Sequence, residues 1–504
     1  MNDASLDADV GVVGSGPVGV TLAILLAQLG RSVIVLERQR EPYPLPRAVH
    51  FDDEVGRILQ ACGIGAELRS IIEPAEIYEW RNGTGTTLLR FGRVGNGPSG
   101  WPASSMFSQP MLEELLRRRA DDHIAIELRR GRDVVGIDQT GLAVAVRAAD
   151  GSKARVSYVV GCDGANSTVR ALAGIGVRDL GFSHDWLIVD VVLDEPRVFD
   201  PINLQVCDPA RPSTAVSGGP GRRRWEFMRL PHESLDELND EARAWELLAP
   251  WDVHPGNARL ERHAVYTFNA RYAERWRAGR VFLAGDAAHL MPPFAGQGMC
   301  AGIRDAANLA WKLDLVLGDK APDSLLDTYQ QERLPSARQV IEFSMALGKV
   351  ICVPDPDEAA ARDTAMAAGV GPEPVEVPPL PGIVEGLLHP SSPHAGDVFV
   401  QGTVDGRLFD DVHGAGWRLV TLGGDEIGAA LRKWFESIGG RVVRLDRPDQ
   451  THSRWFTDHD TSWVLQRPDF HVYGTAVSAE TASNLLDELR RQLCSDRILE
   501  GAAT

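Results

Sequence analysis

Short apolar runs alternate with a longer one at the start of the chain. Ala8 to Val13 reads as a buried strand, Pro17 to Leu29 as a helix stopped by Gly30, and Ser32 to Leu36 as a second strand ending at Glu37. Strand, helix and strand within about 30 residues predict a βαβ unit that opens a parallel sheet. Asp52 to Cys62 and Pro110 to Asp121 predict further helices, the first with acidic residues where the helix dipole favours them. Gly141 to Ala148 alternates as a strand into the turn Asp150-Gly151, and Val156 to Val160 runs as a buried strand into Gly161. From Trp186 to Arg229 the pattern changes. Ile188 to Leu193, Asn203 to Val206 and Trp225 to Met228 predict strands of a separate sheet. Arg280 to Ala284 returns to a buried strand, and Gly302 to Leu317 is a long helix with an apolar stripe.

Residues 353–396 are rich in Pro, Gly, Ala and Glu with little periodicity, the signature of a linker or irregular segment. Beyond them, strands are predicted at Trp417 to Leu422, Val442 to Leu445, Ser462 to Leu465 and Val472 to Thr475. Helices are predicted at Ile427 to Ile438 and Ala479 to Leu493. That is a small α/β terminal domain.

A length of 504 residues suggests two to four domains, and 44% hydrophobic content supplies a large core. The net charge of -18 argues against a nucleic-acid partner. The 6 cysteines are scattered without a CxxC, so neither a metal site nor a dithiol site is predicted, and reduced thiols of a cytoplasmic protein are expected. The N-terminus has no basic, apolar leader, and no run approaches the roughly 20 apolar residues of a membrane span.

Three motifs carry the chemistry. Gly14-x-Gly16-x-x-Gly19 lies between the first strand and the first helix. There Gly14 permits a tight turn, Gly16 a close approach to a pyrophosphate, and Gly19 close helix packing. Glu37, at the end of the second strand, can accept hydrogen bonds from a ribose. This context predicts a dinucleotide without separating FAD from NAD. Cys162-Asp163-Gly164 and Gly285-Asp286-Ala287-Ala288-His289 each follow a buried strand and place an aspartate at a turn. Gly-Asp is also a common turn pair. In company, the three motifs point to FAD held at several points.

The chain resembles the group A flavoprotein monooxygenases, the family of para-hydroxybenzoate hydroxylase and phenol hydroxylase. The matching residues are Gly14 to Gly19, Glu37, Pro46-Arg47-Ala48, Gln109-Pro110, Asp163-Gly164-x-x-Ser167-x-x-Arg170, Gly285 to His289 with Pro292-Pro293, and Gly296-Gln297-Gly298 through Asn308-Leu309-x-Trp311-Lys312-Leu313. Segments such as Ile188-Val189-Asp190, Arg224-x-Glu226-Phe227-Met228 and Asp327 to Arg333 are similar to the 3-(3-hydroxyphenyl)propionate hydroxylase branch.

The resemblance implies an α/β fold with a Rossmann-like, discontinuous FAD-binding domain of the para-hydroxybenzoate hydroxylase type at 1–180 and 270–352. It implies an interleaved substrate sheet at 181–269 with parts of 72–108, and a thioredoxin-like domain without CxxC at 397–504 that serves support rather than redox chemistry. Glu37 would bind the adenosine ribose, Arg47 would lie near the pyrophosphate, and Gln109 and Asp286 would contact the ribityl chain. Pro293 and the Gly296-Gln297-Gly298 loop would lie beside the isoalloxazine, and Asp163-Gly164 would close the cofactor site. The implied reaction uses NADH or NADPH, FAD and dioxygen. It hydroxylates a phenolic substrate, ortho to an existing hydroxyl, through a flavin C4a-hydroperoxide. His50 and Tyr266 are the candidates for handling the phenolic proton, whereas His289 belongs to the flavin motif. Arg211 and Arg224 are candidate grips for a propionate side chain. Tailoring of a larger aromatic natural product, and flavin chemistry without oxygen insertion, stay open, as do the choice of nicotinamide and a homodimeric state.

Overall fold

Strand Ala8–Val13 is buried along its length because it has a parallel neighbour on each side, Val33–Glu37 and Lys153–Gly161. Val281–Leu283 and Ile126–Arg130 extend this sheet outward, and the hairpin of Val134–Thr140 with Ala143–Ala148 joins it antiparallel to Lys153–Gly161. The structure, a computed structural model, describes residues 5–494 apart from 43, 370–374, 377–379, 381 and 424–425.

Helix Pro17–Gln28 lies against helix Gly298–Leu317. Their approach depends on Gly302, where a Cβ would come within 2.6 Å of Val18. The longer helix begins at Gly298, ahead of the apolar stripe that marks it in the sequence, because its first turn is glycine and small residues. The helix predicted over Asp52 to Cys62 is α-helical at Asp53–Leu59 and then loosens into a π-helical turn at Gln60–Ile64. Asp52 caps it, accepting a hydrogen bond from the Val55 N–H at 3.1 Å.

The second sheet has nine strands. In order they are His289–Leu290, Ala258–Ala273, Val177–Leu193, Arg222–Met228, Ser213–Ser217, Asn203–Cys207, Ile77–Asn82, Thr87–Gly92 and Val375–Glu376. Strand alternation splits its side chains between two cores. Leu187, Val189, Trp225 and Phe227 pack outward against Leu238 and Leu248. Trp186, Ile188 and Met228 pack inward with Phe294, which comes from the turn ahead of helix Gly298–Leu317.

One expectation is corrected here. The 353–396 segment is not wholly irregular. It contains helix Pro356–Ala367, started by Asp355, whose carboxylate accepts from the N–H groups of Asp357 and Glu358. Arg362 pins that helix to the sheet by donating to the Cys207 carbonyl at 2.6 Å. The alanine-rich composition hid it, because few apolar side chains mark a buried face.

The terminal domain has a four-stranded sheet ordered Arg441–Arg444, Arg418–Thr421, Trp463–Gln466 and Val472–Ala476. The first pair is parallel and the others antiparallel. Helices Ala429–Ser437, Gln450–Asp458 and Ala479–Cys494 complete a thioredoxin-like order, and residues 495–504 lie outside the described ones. Two buried charge networks fasten it. Glu332 accepts from Lys312 at 2.7 Å and from Arg467 at 2.6 Å, and Arg467 also pairs with Asp469. Asp410 pairs with Arg57 and Arg418, each at 2.6 Å. Among the described residues no helix is long and apolar enough to cross a membrane.

Candidate active site

Gly14 and Gly19 have the tight-turn and close-packing roles their spacing predicts. Gly14 leaves the strand at φ 103, and a side chain there would strike the Cys162 carbonyl. A Cβ on Gly19 would strike the Gly14 carbonyl oxygen, so turn and helix meet backbone to backbone. Gly16, by contrast, has φ -72, and a Cβ would meet nothing within 4 Å. It forms an open cradle at the N-terminus of Pro17–Gln28, where unpaired N–H groups favour phosphate. Glu37 stands beside it, accepting from the Ser15 N–H at 2.9 Å and the Ser15 hydroxyl at 3.0 Å.

The two aspartate motifs are joined by one arginine. Arg170 donates to the carbonyls of Ala165 at 3.0 Å and Ala287 at 2.9 Å. Asp163 faces its own loop, accepting from the Ser167 hydroxyl and the Val169 N–H. Its side chain thereby shapes the turn, and Gly164, at φ 82 with open space around it, presents bare backbone. Asp286 behaves differently. Its carboxylate is exposed to the groove and accepts no hydrogen bond among the described residues. The protein crowding its base raises its pKa, against the pull of His289 and Arg47. Behind it, buried His289 bonds Asp305 at 2.7 Å, and Asp305 also accepts from the Gly285 N–H and from Arg333. His289 is thereby tied to helix Gly298–Leu317.

An open cradle at Gly16, an unsatisfied carboxylate at Asp286 and bare backbone at Gly164 fit an extended dinucleotide with a polyhydroxyl chain. Gln109 holds the segment opposite. It accepts from the Ala48 N–H at 2.6 Å and donates to Glu113 at 2.6 Å. Arg47 is exposed beside it, close enough for its charge to act on both Asp286 and Glu113.

Pro293 starts a short 3-10 turn that ends at Gly296, φ 65, and Gly298 begins the long helix, where a Cβ would meet the Met291 side chain at 3.8 Å. This loop meets His50. Its Nδ1 lies 3.2 Å from the Gly296 carbonyl oxygen and its Nε2 3.2 Å from Arg93. Those partners assign the proton to Nδ1 and make Nε2 the acceptor. Burial first, then the Arg93 charge, lowers the His50 pKa from 6.5 to about 4, so the imidazole is neutral at ordinary pH. A buried neutral histidine binds a proton more readily when unfolded, so folding stability should fall as pH drops from 6.5 toward 4. In His50→Asn that part of the slope should flatten in urea melts at stepped pH. An unchanged slope would show that His50 titrates normally. Beneath His50, Asp52 accepts from Gln297 at 2.9 Å and Arg304 at 2.7 Å, which fastens the flavin loop to helix Asp53–Leu59.

The second sheet faces this loop with a polar cluster. Cross-strand register puts Asp190, Arg224 and Arg262 on one face, with Ile188 and Glu226, then Trp186, Met228 and Tyr266, following in rows. Arg224 forms a two-bond pair with Asp190 at 2.7 and 3.0 Å and donates to the carbonyls of Arg47 and Pro46. Its guanidinium is thus committed to positioning the flavin-side segment. Arg211 is committed elsewhere, in a two-bond pair with Glu233. Both arginines expected to grip a substrate carboxylate therefore have other partners. Tyr266 lies under the Arg262 guanidinium, 4.4 Å from ring centre to Cζ.

Three residues here escaped the sequence reading as site residues. Among the described residues, the Arg93 guanidinium has His50 as its one hydrogen-bond partner. Tyr78, on Ile77–Asn82, feels the charges of both Glu226 and Arg93 and donates to Gln205 at 3.2 Å. Glu226 is 8% exposed and accepts no hydrogen bond among the described residues, with Arg224 at 3.8 Å. Burial raises its pKa.

A nucleotide groove runs along one sheet, and the inner face of a second sheet meets the loop at its end, the arrangement of a dinucleotide-binding enzyme. The chain belongs to the FAD binding domain family, which matches residues 7–344. It is 40% identical, over 95% of its own length and 94% of the relative's, to a probable NADH-specific resorcinol 4-hydroxylase of Rhodococcus jostii (strain RHA1). It is 34% identical to a 3-(3-hydroxy-phenyl)propionate/3-hydroxycinnamic acid hydroxylase of Mycobacterium sp. (strain JLS), over 94% of this chain and 90% of that one. Among solved structures, aklavinone-11 hydroxylase in ternary complex with FAD and aklavinone aligns with TM-score 0.76 and 26% identity, covering 97% of this chain and 99% of the other. The chain is a flavoprotein monooxygenase of the aromatic hydroxylase type, with the para-hydroxybenzoate hydroxylase fold.

Proposed function

We propose that this enzyme hydroxylates a small uncharged dihydroxybenzene of the resorcinol class, with NADH as reductant. The observation that carries the reading is Glu226. It is a buried carboxyl without a hydrogen-bond donor, on the sheet face that meets the flavin loop. A buried acceptor of this kind calls for a donor, and a phenolic hydroxyl supplies one. The same group disfavours a substrate carboxylate, which would bring a like charge into a desolvated site. Commitment of Arg211 and Arg224 to Glu233 and Asp190 points the same way. The name of the Rhodococcus relative agrees with both substrate and reductant.

FAD, when bound and reduced, supplies the dioxygen activation that places one oxygen atom on the ring while the other leaves as water. The chain's part is binding, dryness and proton control. Arg93, held by neutral His50, offers a positive charge that favours the phenolate, the form of the ring that is electron-rich ortho and para to its oxygen. Trp186, Phe268 and Phe294 pack within 5.7 to 6.1 Å of one another and close the sheet side of the site against water. Tyr266 and Tyr78 stand at the edges of the same face.

Glu226→Leu removes the acceptor and also the cost of burying a carboxyl. Its kcat/KM for resorcinol should fall about ten- to hundredfold, the cost of a hydrogen bond to a charged group. Its relative use of 3-(3-hydroxyphenyl)propionate should rise, with FAD content unchanged. Equal losses on both substrates would overturn the reading. Tailoring of a larger aromatic remains the second reading, favoured by the near-complete alignment with aklavinone-11 hydroxylase. Faster NADH oxidation with a polycyclic phenol than with resorcinol would select it.

A further inference from the structure

We propose that His394, Asp397 and His459 form a binding site for one divalent transition-metal ion of the zinc class, in the terminal domain and separate from the flavin groove. Each offers a ligand atom, and these atoms lie within 4.8 Å of one another. His394 and Asp397 come from the turn that precedes the Val398 bridge, and His459 from the end of helix Gln450–Asp458. Nothing in local chain geometry requires two such distant segments to meet through imidazoles.

The backbone around the site is fixed. The Gly396 N–H donates to the Val472 carbonyl at 2.8 Å, and the Asp397 carbonyl accepts from the Val472 N–H at 2.7 Å. The Asp397 N–H turns back to the His394 carbonyl, and the His459 N–H bonds the Trp455 carbonyl. The His459 ring is oriented as well. It stacks on Trp455 at 4.3 Å and 19°, and its Nδ1 meets the Trp455 carbonyl oxygen at 2.7 Å. That bond holds the proton on Nδ1 and leaves Nε2 free to ligate, the arrangement that outer partners impose on metal-binding histidines.

The two imidazoles meet edge to face, centroids 4.2 Å apart at 67°, with no hydrogen bond between them. The His394 Nδ1 to Asp397 oxygen distance is 3.5 Å, longer than a good hydrogen bond. Ligand atoms of a tetrahedral zinc ion stand about 3.3–3.6 Å apart, given bond lengths of about 2.0–2.2 Å. A separation of up to 4.8 Å must therefore close by about 1.2–1.5 Å, a movement that falls to the exposed His394 and Asp397 side chains. Two nitrogens and one carboxylate oxygen suit zinc, cobalt or nickel rather than calcium or magnesium. The side chains of His394 and Asp397 are 29% and 56% exposed, so an ion enters from solvent and keeps water in the fourth position. Its effect would be to clamp the turn to the helix end.

The test uses the full-length, flavin-loaded enzyme, stripped with a chelator and titrated calorimetrically with zinc ion, with cobalt absorption as a second readout. Wild type should bind one zinc equivalent more than His394→Ala or His459→Ala, and Asp397→Asn should bind it more weakly. Zinc should raise the thermal midpoint of wild type and leave that of His394→Ala unmoved, while NADH oxidation persists in all four proteins. If His459→Ala loses its fold with its tryptophan stack, the exposed His394 and Asp397 variants decide. Equal stoichiometry in wild type and these variants, or no binding by wild type, overturns the proposal.

Discussion

Gly16→Val should give a folded but colourless protein. Gly16 has ordinary backbone angles, and a Cβ there meets no protein atom within 4 Å, so the added methyl groups branch from open space rather than from a packed wall. The apoprotein should keep its stability to within about 1 kcal/mol, the scale of a changed helix N-cap. The same methyl groups occupy the approach path of the pyrophosphate to the helix N-terminus, and FAD affinity should fall at least about a hundredfold, or about 2.7 kcal/mol. Gly19→Ala should behave in the opposite order. Its Cβ meets the Gly14 backbone, which cannot rotate away, and overpacking of this kind costs about 1–3 kcal/mol in the apoprotein itself. Flavin titration and apoprotein melts separate the two. A yellow Gly16→Val protein of normal affinity would remove the cradle from the account.

The largest stability loss should come from Glu332→Ala, far from the flavin motifs. Glu332 is fully buried and accepts from Lys312, Arg467, Asn308 and the Leu387 N–H. Removing it strands buried Lys312 and leaves Arg467 with Asp469 alone, a change that costs about 3–5 kcal/mol. The native pairing also sets a pH limit. Burial alone would raise the Glu332 pKa, but Arg467 and then Lys312 hold it at about 2, below the ordinary 4.5. A carboxylate lowered on folding stabilises above its unfolded pKa, and that stability is lost as pH falls from 4.5 toward 2. Glu332→Gln should remove this acid limb while keeping part of the hydrogen bonding. A Glu332→Ala protein melting like wild type would mean that the terminal domain is not fastened here.

Local chemistry was legible in the sequence. The duties of Gly14, Gly16 and Gly19 follow from spacing, because each depends on neighbours a few residues away and on one adjacent strand. The placement of Asp286 at a turn after a buried strand was legible for the same reason. Residues whose partners come from distant segments were not. Asn308 and Lys312, read with the flavin motif, spend their polar groups on Glu332 and, for Asn308, Asp469, holding the terminal domain instead. Arg224 looked like a substrate grip because a charge run carries no record of Asp190, 34 residues earlier in the chain and directly opposite it on the neighbouring strand. Arg93 and Tyr78 carried no signal at all. They sit in or beside strands that precede the main sheet in sequence, and only the closing of that sheet brings them to His50 and Glu226.

The most direct test of the substrate assignment is NADH oxidation by the purified, FAD-loaded enzyme with resorcinol and with 3-(3-hydroxyphenyl)propionate, each product identified by mass. Resorcinol should accelerate NADH oxidation and yield a product heavier by one oxygen atom, with matched consumption of NADH and dioxygen. Preference for the carboxylated phenol, or NADH oxidation without an oxygenated product, would contradict the account.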